Sequence, residues 1–540
     1  MLNEYPRPQM VRGSWLNLCG VWDYAFTLSP RLPQAWDGQI TVPFSPEAPA
    51  SGVGRVLRPG EYLWYRRHVE FPADGDRVLV HFGAVDQIAV VFVNGREAGS
   101  HYGGYTPFTV DVTEALDGAR SCELIVAVQD DSETSQLAHG KQQLVRGGRW
   151  YTAQSGIWQP VWAECVPGNY IRSLRITPCY DEAVVEIDAD PGGVVHFSGR
   201  DYPCPARVPV PDFEPWSPEH PRLYDFTVTL GGDEVKSYFA MRRISVSDGR
   251  LLLNNEPYFH LGVVDQGYSP DGLMTYTSEA AMLRDIELVK AMGFNTIRKH
   301  QKLENMRWYY HCDRLGLLVW QDIPCGGGPY NALVTSAPMA VGSRHRRDDN
   351  YRLFGRADEL GRRRFMDEMR EMITTLYNCP CVVLWTLFSD GWGQFDAAKA
   401  RETVSAMDGT RVIDHASGWH DQGGGEVRSE HVYFRRYRHK PDPEGRAVLL
   451  SGFGGFNFRV FDHTWNEKDF GYNSVVDEKD FEKELWALYH KQIAPAKKAG
   501  LAAAIYTQLT DIEDEINGLV TYDRAIVKIQ PETMRRILDI

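Results

Sequence analysis

The chain has 540 residues, too many for a single hydrophobic core, which predicts about two to four domains. Its formal net charge at pH 7 is −14. This balance argues against nucleic acid as a partner, because nucleic-acid binding requires a basic surface. Aromatic residues make up 12% of the chain. Aromatic faces suit sugar rings, but they suit the cores of β-sandwiches equally well.

Targeting and membrane segments are not visible in the sequence. The start, MLNEYPRPQM, lacks the basic and apolar regions of a secretory signal, and no apolar run approaches the roughly 20 residues of a membrane span. The nine cysteines are scattered, so reduced thiols and a cytoplasmic location are expected, without a membrane partner. Cys379 and Cys381 are close together, but no second pair follows at zinc spacing, so we expect neither a metal nor a cofactor.

Residues 1–167 alternate apolar and polar residues over short runs such as RVLVHF (77–82) and CELIVAVQ (122–129). This pattern predicts a β-sandwich or jelly roll, with a hairpin turn at Asn94-Gly95. The segment 146–164, RGGRWYTAQSGIWQPVWAE, has two readings. It is either a loop and closing strand with buried Trp, or it carries Arg149, Trp150 and Tyr151 into a neighbouring ligand pocket.

Residues 168–245 contain six or seven further strand-like runs around a Pro-rich stretch. The region is small for an independent sandwich, so it is expected to lean on its neighbours. It is predicted to be an immunoglobulin-like β-sandwich that acts as a spacer.

Residues 246–540 alternate β runs with amphipathic helical patterns, which fits a (β/α)8 TIM barrel. The β runs are PYFHLGVV (257–264), NTIRKH (295–300), LLVWQDIP (317–324), VVLWTLFSD (382–390), RVIDHAS (411–417), HVYF (431–434), AVLLSGFGG (447–455) and AAAIYTQLT (502–510). Helices are predicted at 278–293, 305–316, 356–377, 478–498 and 531–539. The long loop 325–350 is expected on the face that carries the site.

Strand-end residues of such a barrel gather at one mouth. Acids, His, Arg and aromatic side chains at one rim suit a polyhydroxylated ring. Each also has a structural alternative: Arg298 and His300 form an ion-pair network with Asp322, and Asp414-His415 forms a salt bridge. The residues expected to bind a substrate are Asp265, Arg298, His300, Asp322, Trp385, Ser389, Trp392, His415, Trp419, Asp421, Tyr433 and Tyr506.

Several motifs together resemble glycoside hydrolase family 2, which contains β-galactosidases, β-glucuronidases and β-mannosidases. They are VFVNG (91–95), YTPFTVDVT (105–113), SGIWQPVW (155–162), MGFNTIRKH (292–300), DRLGLLVWQD (313–322), LWTLFSDGWGQFD (384–396), HASGWHDQGGG (415–425) and SGFGGF (451–456). The resemblance covers nearly the whole chain. It implies a jelly-roll sugar-binding-like domain, an immunoglobulin-like domain and a TIM barrel. It also implies a carbohydrate or glycoside ligand and a possible homo-oligomer.

The resemblance implies a retaining β-glycosidase, but the chain departs from the family at both catalytic positions. The family's Asn-Glu pair, whose Glu is the acid/base, falls on Ser389 and Asp390. Its nucleophilic Glu falls on Gly452. The family's strand-two His falls on His300, and the Tyr that bonds the nucleophile falls on Tyr433.

These departures change the expected chemistry. Gly452 cannot form a glycosyl-enzyme bond, and the carboxyl group of Asp390 lies a methylene further back than that of Glu. Three hypotheses stay open: hydrolysis by a non-standard route, a non-catalytic carbohydrate-binding protein, and a deliberately inactivated enzyme, which the Ser-Asp pair fits poorly. In the first, Asp390 is the acid, water enters the space at Gly452, and Glu430 or Asp421 is the base.

Overall fold

The computed structural model describes residues 2–72, 75–342 and 345–540, and only the backbone of residues 340 and 341. Residues 343 and 344 of the predicted 325–350 loop therefore lie outside the described residues. The fold class predicted from the sequence is confirmed: two β-sandwich regions precede a parallel eight-stranded barrel. The predicted boundaries after residues 167 and 245 stay a proposal.

The first region consists of two main antiparallel sheets that face one another. Its strands are β1 Leu16–Asn17, β2 Gly20–Thr27, β3 Gly38–Val42, β4 Tyr62–Glu70, β5 Arg77–Phe82, β6 Val85–Asp86, β7 Ile88–Val93, β8 Arg96–Tyr102, β9 Phe108–Asp111, β10 Ser121–Gln129, β11 Gln142–Gln143, β12 Tyr151–Thr152, β13 Gly156–Ile157 and β14 Val161–Val166. The sheets have the orders β3-β2-β4-β10-β7-β8 and β1-β14-β5-β9. Asn94 and Gly95 both have positive φ between β7 and β8, as the Asn-Gly hairpin signal predicts.

The second region is a smaller sandwich with its own core of Val, Ile and Phe side chains. Its strands are β15 Ser173–Cys179, β16 Val184–Asp190, β17 Val194–Phe197, β18 Arg200–Pro203, β19 Ala206–Pro209, β20 Tyr224–Leu230 and β21 Asp233–Phe239. A short sheet of β22 Ile244–Ser247, β23 Arg250–Leu253 and β24 Glu256–Pro257 leads from it into the barrel.

A buried arginine ties the two sandwiches together. Arg12 donates to Glu164 at 2.6 Å and to Asp233 at 2.8 Å, and all three side chains are nearly inaccessible to solvent. Because a buried charge is tolerated only with close partners, this pair of contacts fixes how the first region meets the second.

The barrel strands run parallel, and the sheet is nearly closed. They are β25 His260–Asp265, β26 Thr296–Lys299, β27 Leu318–Asp322, β28 Val382–Thr386, β29 Val412–Asp414, β30 Val427–Val432, β31 Ala447–Phe453 and, after the short pair β32 Phe456–Asn457 and β33 Asn473–Ser474, β34 Ala503–Tyr506. Their order is β29-β28-β27-β26-β25-β34-β31-β30. The fifth and sixth barrel strands, β29 and β30, are therefore the two ends of the sheet, and a seam separates them.

Ten α-helices lie between or beyond the strands in the part of the chain that the structure describes. They are α1 Thr113–Leu116, α2 Glu279–Ala291, α3 Met306–Leu315, α4 Ala332–Thr335, α5 Ala337–Val341, α6 Glu359–Leu376, α7 Ala397–Met407, α8 Glu478–Leu488, α9 Ala494–Lys498 and α10 Pro531–Leu538. A π-helical stretch, Tyr489–Ile493, joins α8 to α9, so the helix predicted at 478–498 is continuous. No described helix is long and apolar enough to cross a membrane.

Candidate active site

Arg298 is the centre of a buried polar network at the mouth of the barrel. It lies on β26 with 1% of its surface exposed and forms an ion pair with Asp322 on β27 at 2.8 Å. Its guanidinium also donates to Ser389 Oγ at 2.9 Å and to the Ser451 carbonyl at 2.8 Å. Because guanidinium donors point in fixed directions, Arg298 holds the ends of four strands in one arrangement.

Asp390 follows the fourth barrel strand in a left-handed backbone conformation, with φ of 55°. Asp tolerates this conformation better than most residues, which explains why the chain can turn sharply here. The carboxylate accepts a hydrogen bond from Nδ1 of His431 at 2.8 Å. Nε2 of His431 faces the Arg298 guanidinium at 3.0 Å, so Nε2 accepts that bond and Nδ1 carries the proton.

The protonation state of Asp390 follows from these neighbours. Burial raises the pKa of the carboxyl group, but His431, His300 and Arg298 together outweigh burial and hold the pKa well below its usual 3.8. Asp390 is therefore a carboxylate at neutral pH. This environment does not support the role of proton donor expected for this position from the sequence.

Gly452 lies on β31 beside the same network. A Cβ atom built at this position would come within 3.0 Å of the Tyr433 hydroxyl and to 3.1 Å from Cδ2 of His431. The Tyr433 ring is itself stacked on Tyr472, with the ring centroids 4.0 Å apart. The space beside Gly452 is therefore occupied by two aromatic rings, and a larger residue would fit only if they moved.

A small cavity of about 30 Å³ lies above this network. Binding sites for small ligands typically enclose roughly 300–1,000 Å³, so the mouth is nearly filled in this conformation. Its wall consists of residues from the first sandwich and from the barrel region: Lys141, Arg149, Val264, Gln266, Arg298, His300, Met339, Asp390, Trp392, Trp419, His431, Tyr433, Tyr472, Thr507 and Glu515.

The two short helices α4 and α5 cover the cavity from above. Arg149, from the first sandwich, donates to Ser336 Oγ at 2.8 Å and contacts the Met339 sulfur at 2.9 Å. Nε2 of His420 donates to the Val334 carbonyl at 2.9 Å. These contacts hold the α4–α5 segment over the mouth, and this segment is part of the loop 325–350 that the sequence predicts on the face of the site.

A second carboxylate, Glu515, lines the cavity from the loop after the eighth strand. Its oxygen accepts a bond from the Lys141 amine at 3.2 Å and a short bond from the Tyr151 hydroxyl. Burial lowers the pKa of Lys141, and the charge of Glu515 opposes that shift. The first sandwich thus supplies charged and aromatic groups to the mouth, as one of the two readings of segment 146–164 proposed.

The structure brings six of the predicted site residues to the cavity wall. They are Arg298, His300, Asp390, Trp392, Trp419 and Tyr433. Trp392 lies against the Trp150 ring, with the ring centroids 5.0 Å apart. Ser389 and Asp322 lie directly beneath the wall as partners of Arg298.

Three predicted site residues face away from the mouth, and their role in substrate binding stays a prediction. Asp265 forms an ion pair with Lys299 at 2.6 Å on the outer side of the barrel. Trp385 donates to Asp408 at 2.9 Å, at the end of α7. Tyr506 packs against Phe453. Side chains alternate between the two faces of a strand, and these three are on the outward face.

The remaining predicted residues lie at the seam between β29 and β30. His415 is buried, with its Nε2 atom 3.7 Å from Asp421. Asp421 is bound by Arg446 at 2.8 Å, and Glu430 is bound by Arg428 at 2.9 Å. None of the three lines the central cavity, so neither Asp421 nor Glu430 is in place to act as a base opposite Asp390.

Four ionisable residues of the cavity wall are not among the sequence predictions: Lys141, His431, Tyr472 and Glu515. The sequence pattern predicts His431 at the start of the sixth strand, whereas β30 begins at Val427, and a bulge between Glu430 and His431 turns the ring inward. Lys141, Tyr472 and Glu515 lie outside the barrel strands, where strand alternation gives no signal. The acidic run at 513–515 was the one available hint.

Two family models match the chain. Residues 244–455 match the model described as the TIM barrel domain of glycosyl hydrolases family 2. Residues 170–242 match a second model, described as glycosyl hydrolases family 2. The two ranges together cover more than half of the chain. The chain belongs to glycoside hydrolase family 2.

Curated relatives of this family 2 protein are distant. A putative β-glucuronidase from Formosa agariphila is 24% identical over 393 residues, which are 66% of this chain and 42% of the relative. A β-galactosidase from Thermoanaerobacter pseudethanolicus is 25% identical over 359 residues, or 60% of this chain and 44% of the relative. The chain thus spans less than half the length of these two relatives.

Solved structures share the whole fold. A β-D-glucuronidase from Dictyoglomus thermophilum superposes with a TM-score of 0.76 at 16% identity, covering 100% of this chain and 99% of that one. A family 2 β-galacturonidase from Eisenbergiella tayi bound to galacturonate gives a TM-score of 0.71 at 19% identity, covering 99% and 98%.

Proposed function

We propose that this family 2 protein acts on β-linked glycosides at the mouth of its barrel, and that any hydrolysis there is weak or non-retaining. Family membership supports the substrate class. The cavity wall supports it as well, because it combines aromatic faces, such as Trp392 and Tyr433, with charged groups that suit sugar hydroxyls.

The observation that carries the mechanistic part is the environment of Gly452. A retaining glycosidase needs two carboxyl groups about 5–5.5 Å apart, one of which bonds to the sugar. Gly452 supplies no carboxyl group, and Tyr433 and His431 occupy the space that a side chain would need. The usual covalent intermediate therefore has no residue on which to form at this position.

Asp390 and Glu515 are the two carboxylates among the described residues of the cavity wall. Inverting glycosidases use a pair of carboxyl groups, about 6.5–9.5 Å apart, with water between one of them and the sugar. The low pKa of Asp390 keeps the group ionised at neutral pH, so it can accept a hydrogen bond from a sugar hydroxyl but is a weak base toward water. With Asp390 ionised, the oxygen of the leaving group has no evident proton donor among the two carboxyl groups of the wall. This supports slow turnover.

A second candidate function is non-catalytic carbohydrate binding. Two features favour it: Asp390 stays ionised, and the cavity of about 30 Å³ excludes a sugar ring until the α4–α5 segment moves. In this candidate the ring enters when Arg149 releases Ser336, binds, and leaves unchanged.

One set of measurements distinguishes the two candidate functions. Aryl β-glycosides of several sugars are tested for hydrolysis, with the anomer of the product read by NMR, and the matching methyl β-glycosides are tested for binding by calorimetry. We expect binding, together with slow hydrolysis that inverts the anomeric centre and is lost in Asp390→Asn. Asp462→Asn is the matched control, since Asp462 has a similar φ of 66° and is exposed.

Binding without hydrolysis would select the non-catalytic candidate. Retention of configuration would contradict the inference that Gly452 leaves no residue on which the covalent intermediate can form. If no glycoside is bound or cleaved, the assignment to carbohydrates itself fails.

A further inference from the structure

We propose that a cationic groove beside the barrel mouth binds the anionic groups of an acidic oligosaccharide. The groove has a volume of about 570 Å³ and lies at the seam between β29 and β30. This inference rests on the proposed function, because the groove would hold the units of a glycan that extend beyond the mouth.

The groove is continuous with the mouth. Trp419 and His431 line both the small central cavity and the groove. A glycan whose terminal unit faces Asp390 would therefore place its next units in the groove. The groove is also large enough for sugar units in the present conformation, whereas the central cavity is not.

The charge of the groove is opposite to that of the whole chain. Four of the six residues at 435–440, with the sequence RRYRHK, are Lys or Arg, in a chain with a net charge of −14. Arg435, Arg436, Arg438 and Lys440 are exposed and line the groove. Such a local excess of positive charge attracts anions to this face of an otherwise acidic protein.

Most of this positive charge has no ion-pair partner among the residues that the structure describes. The two groove carboxylates, Glu430 and Asp421, are paired with Arg428 and Arg446. Within the residues the structure describes, Arg435, Arg438 and Lys440 have no carboxylate oxygen within 4.0 Å, the limit for an ion pair. These three cations are therefore available to carboxylate or sulfate groups of a ligand.

Other features of the groove favour a glycan over a nucleic acid. Trp419 and Tyr437 supply aromatic surface, and Glu430 and Asp421 supply oxygens that accept bonds from sugar hydroxyls. The same carboxylates would repel the closely spaced phosphates of a nucleic acid. Anionic groups spaced along a sugar chain can meet the arginines while hydroxyl groups meet the acids.

The test compares ligands of equal length and different charge. Calorimetry measures binding of a hyaluronan tetrasaccharide, which is β-linked and carboxylated, of a sulfated chondroitin tetrasaccharide, and of neutral cellotetraose. Variant Arg435→Glu/Arg438→Glu reverses the groove charge. Arg31→Glu/Arg200→Glu is its control, because it makes the same change in net charge at exposed arginines of the two sandwiches.

We expect the wild type to bind at least one acidic tetrasaccharide about ten-fold or more tightly than cellotetraose, with an affinity that falls as salt rises. The groove variant should lose this preference, and the control should keep it. The carboxylated and sulfated ligands show which anion the groove prefers. Unchanged melting temperatures show that both variants are folded.

Equal binding of acidic and neutral ligands by the wild type would overturn the inference, as would equal losses in the groove and control variants. Tighter binding of a single-stranded RNA oligonucleotide that the groove variant abolishes would also overturn it, in favour of nucleic acid. Methyl β-glycosides are measured in parallel. If they bind both forms while the acidic ligands show no preference, only the groove inference fails and the proposed function stands.

Discussion

Replacing Gly452 by Ala tests, with the smallest possible change, whether Tyr433 and His431 fill the space beside this position. The new Cβ would lie within 3.0 Å of the Tyr433 hydroxyl and 3.1 Å from His431. Neither ring is free to move, because Tyr433 is stacked on Tyr472 and His431 is hydrogen-bonded to Asp390. Overpacking of this kind costs about 1–3 kcal/mol, and we expect the upper part of that range.

The assay is unfolding by heat and by urea, with the midpoint and slope of the barrel transition recorded for each variant. Gly409→Ala is the control, since a Cβ there meets nothing within 4 Å and is expected to be neutral or slightly stabilising. The double variant Tyr433→Phe/Gly452→Ala removes the clashing oxygen, so it should be more stable than the two single changes added together.

The reasoning is refuted if Gly452→Ala unfolds at the same point as Gly409→Ala. The rings would then move aside at little cost, and the nucleophile position would have room for a side chain. A restored Gly452→Glu enzyme with retaining activity and normal stability would lead to the same conclusion.

Three further predictions concern buried charges. Because the folded-state pKa of Asp390 lies below the usual 3.8, the ionised carboxylate stabilises the fold at pH values above 3.8. This contribution is lost as the pH falls from 3.8 through the folded-state pKa. The melting temperature of Asp390→Asn should therefore lie furthest below that of the wild type near pH 7 and approach it below pH 3.8. Burial raises the pKa of Glu368 from 4.5 to about 8, so its cost is absent below pH 4.5 and grows to about 5 kcal/mol by pH 8. Glu368→Gln should stabilise the protein at pH 8 in urea titrations and make little difference at pH 4.5; an equal effect at both values would contradict the assignment. Arg12→Ala, which leaves the buried Glu164 without its 2.6 Å partner, should cost about 3–5 kcal/mol. Arg172→Ala, which breaks an exposed pair, should leave the unfolding midpoint nearly unchanged in the same experiment, because solvent screens such a pair.

The sequence predicted the architecture well because hydrophobic periodicity survives even where identity to relatives is low. Strand-end logic also found Arg298, His300 and Asp390, which all lie at the mouth. The same reasoning failed where a single side chain had to be placed on the inner or the outer face of the barrel. Asp265 directly precedes Gln266, which lines the cavity, yet Asp265 turns outward to Lys299. Such a choice depends on the register between strands, which spacing along the chain does not report.

Contacts that join distant parts of the chain were beyond prediction for a different reason. Glu515 lines the mouth only because Lys141 and Tyr151 reach it from the first sandwich. Segment 146–164 and the acidic run at 513–515 each gave a hint, but no pattern in the sequence pairs one with the other. The same holds for Gly452, where the sequence showed a missing carboxylate but not that Tyr433 already occupies the space beside it.

The contact between the first sandwich and the end of the barrel has a consequence for the order of folding. Tyr151 and Glu515 are 364 positions apart, and domains generally fold from the N-terminal side as the chain is synthesised. When the first sandwich folds on the ribosome, Lys141 is still in contact with water, and its partner has not been made. Burial of that amine, and with it the assembly of the mouth, is therefore among the last events in the maturation of the molecule. A ribosome-stalled chain that ends before residue 513 would have a folded first sandwich whose Lys141 still reacts with amine reagents.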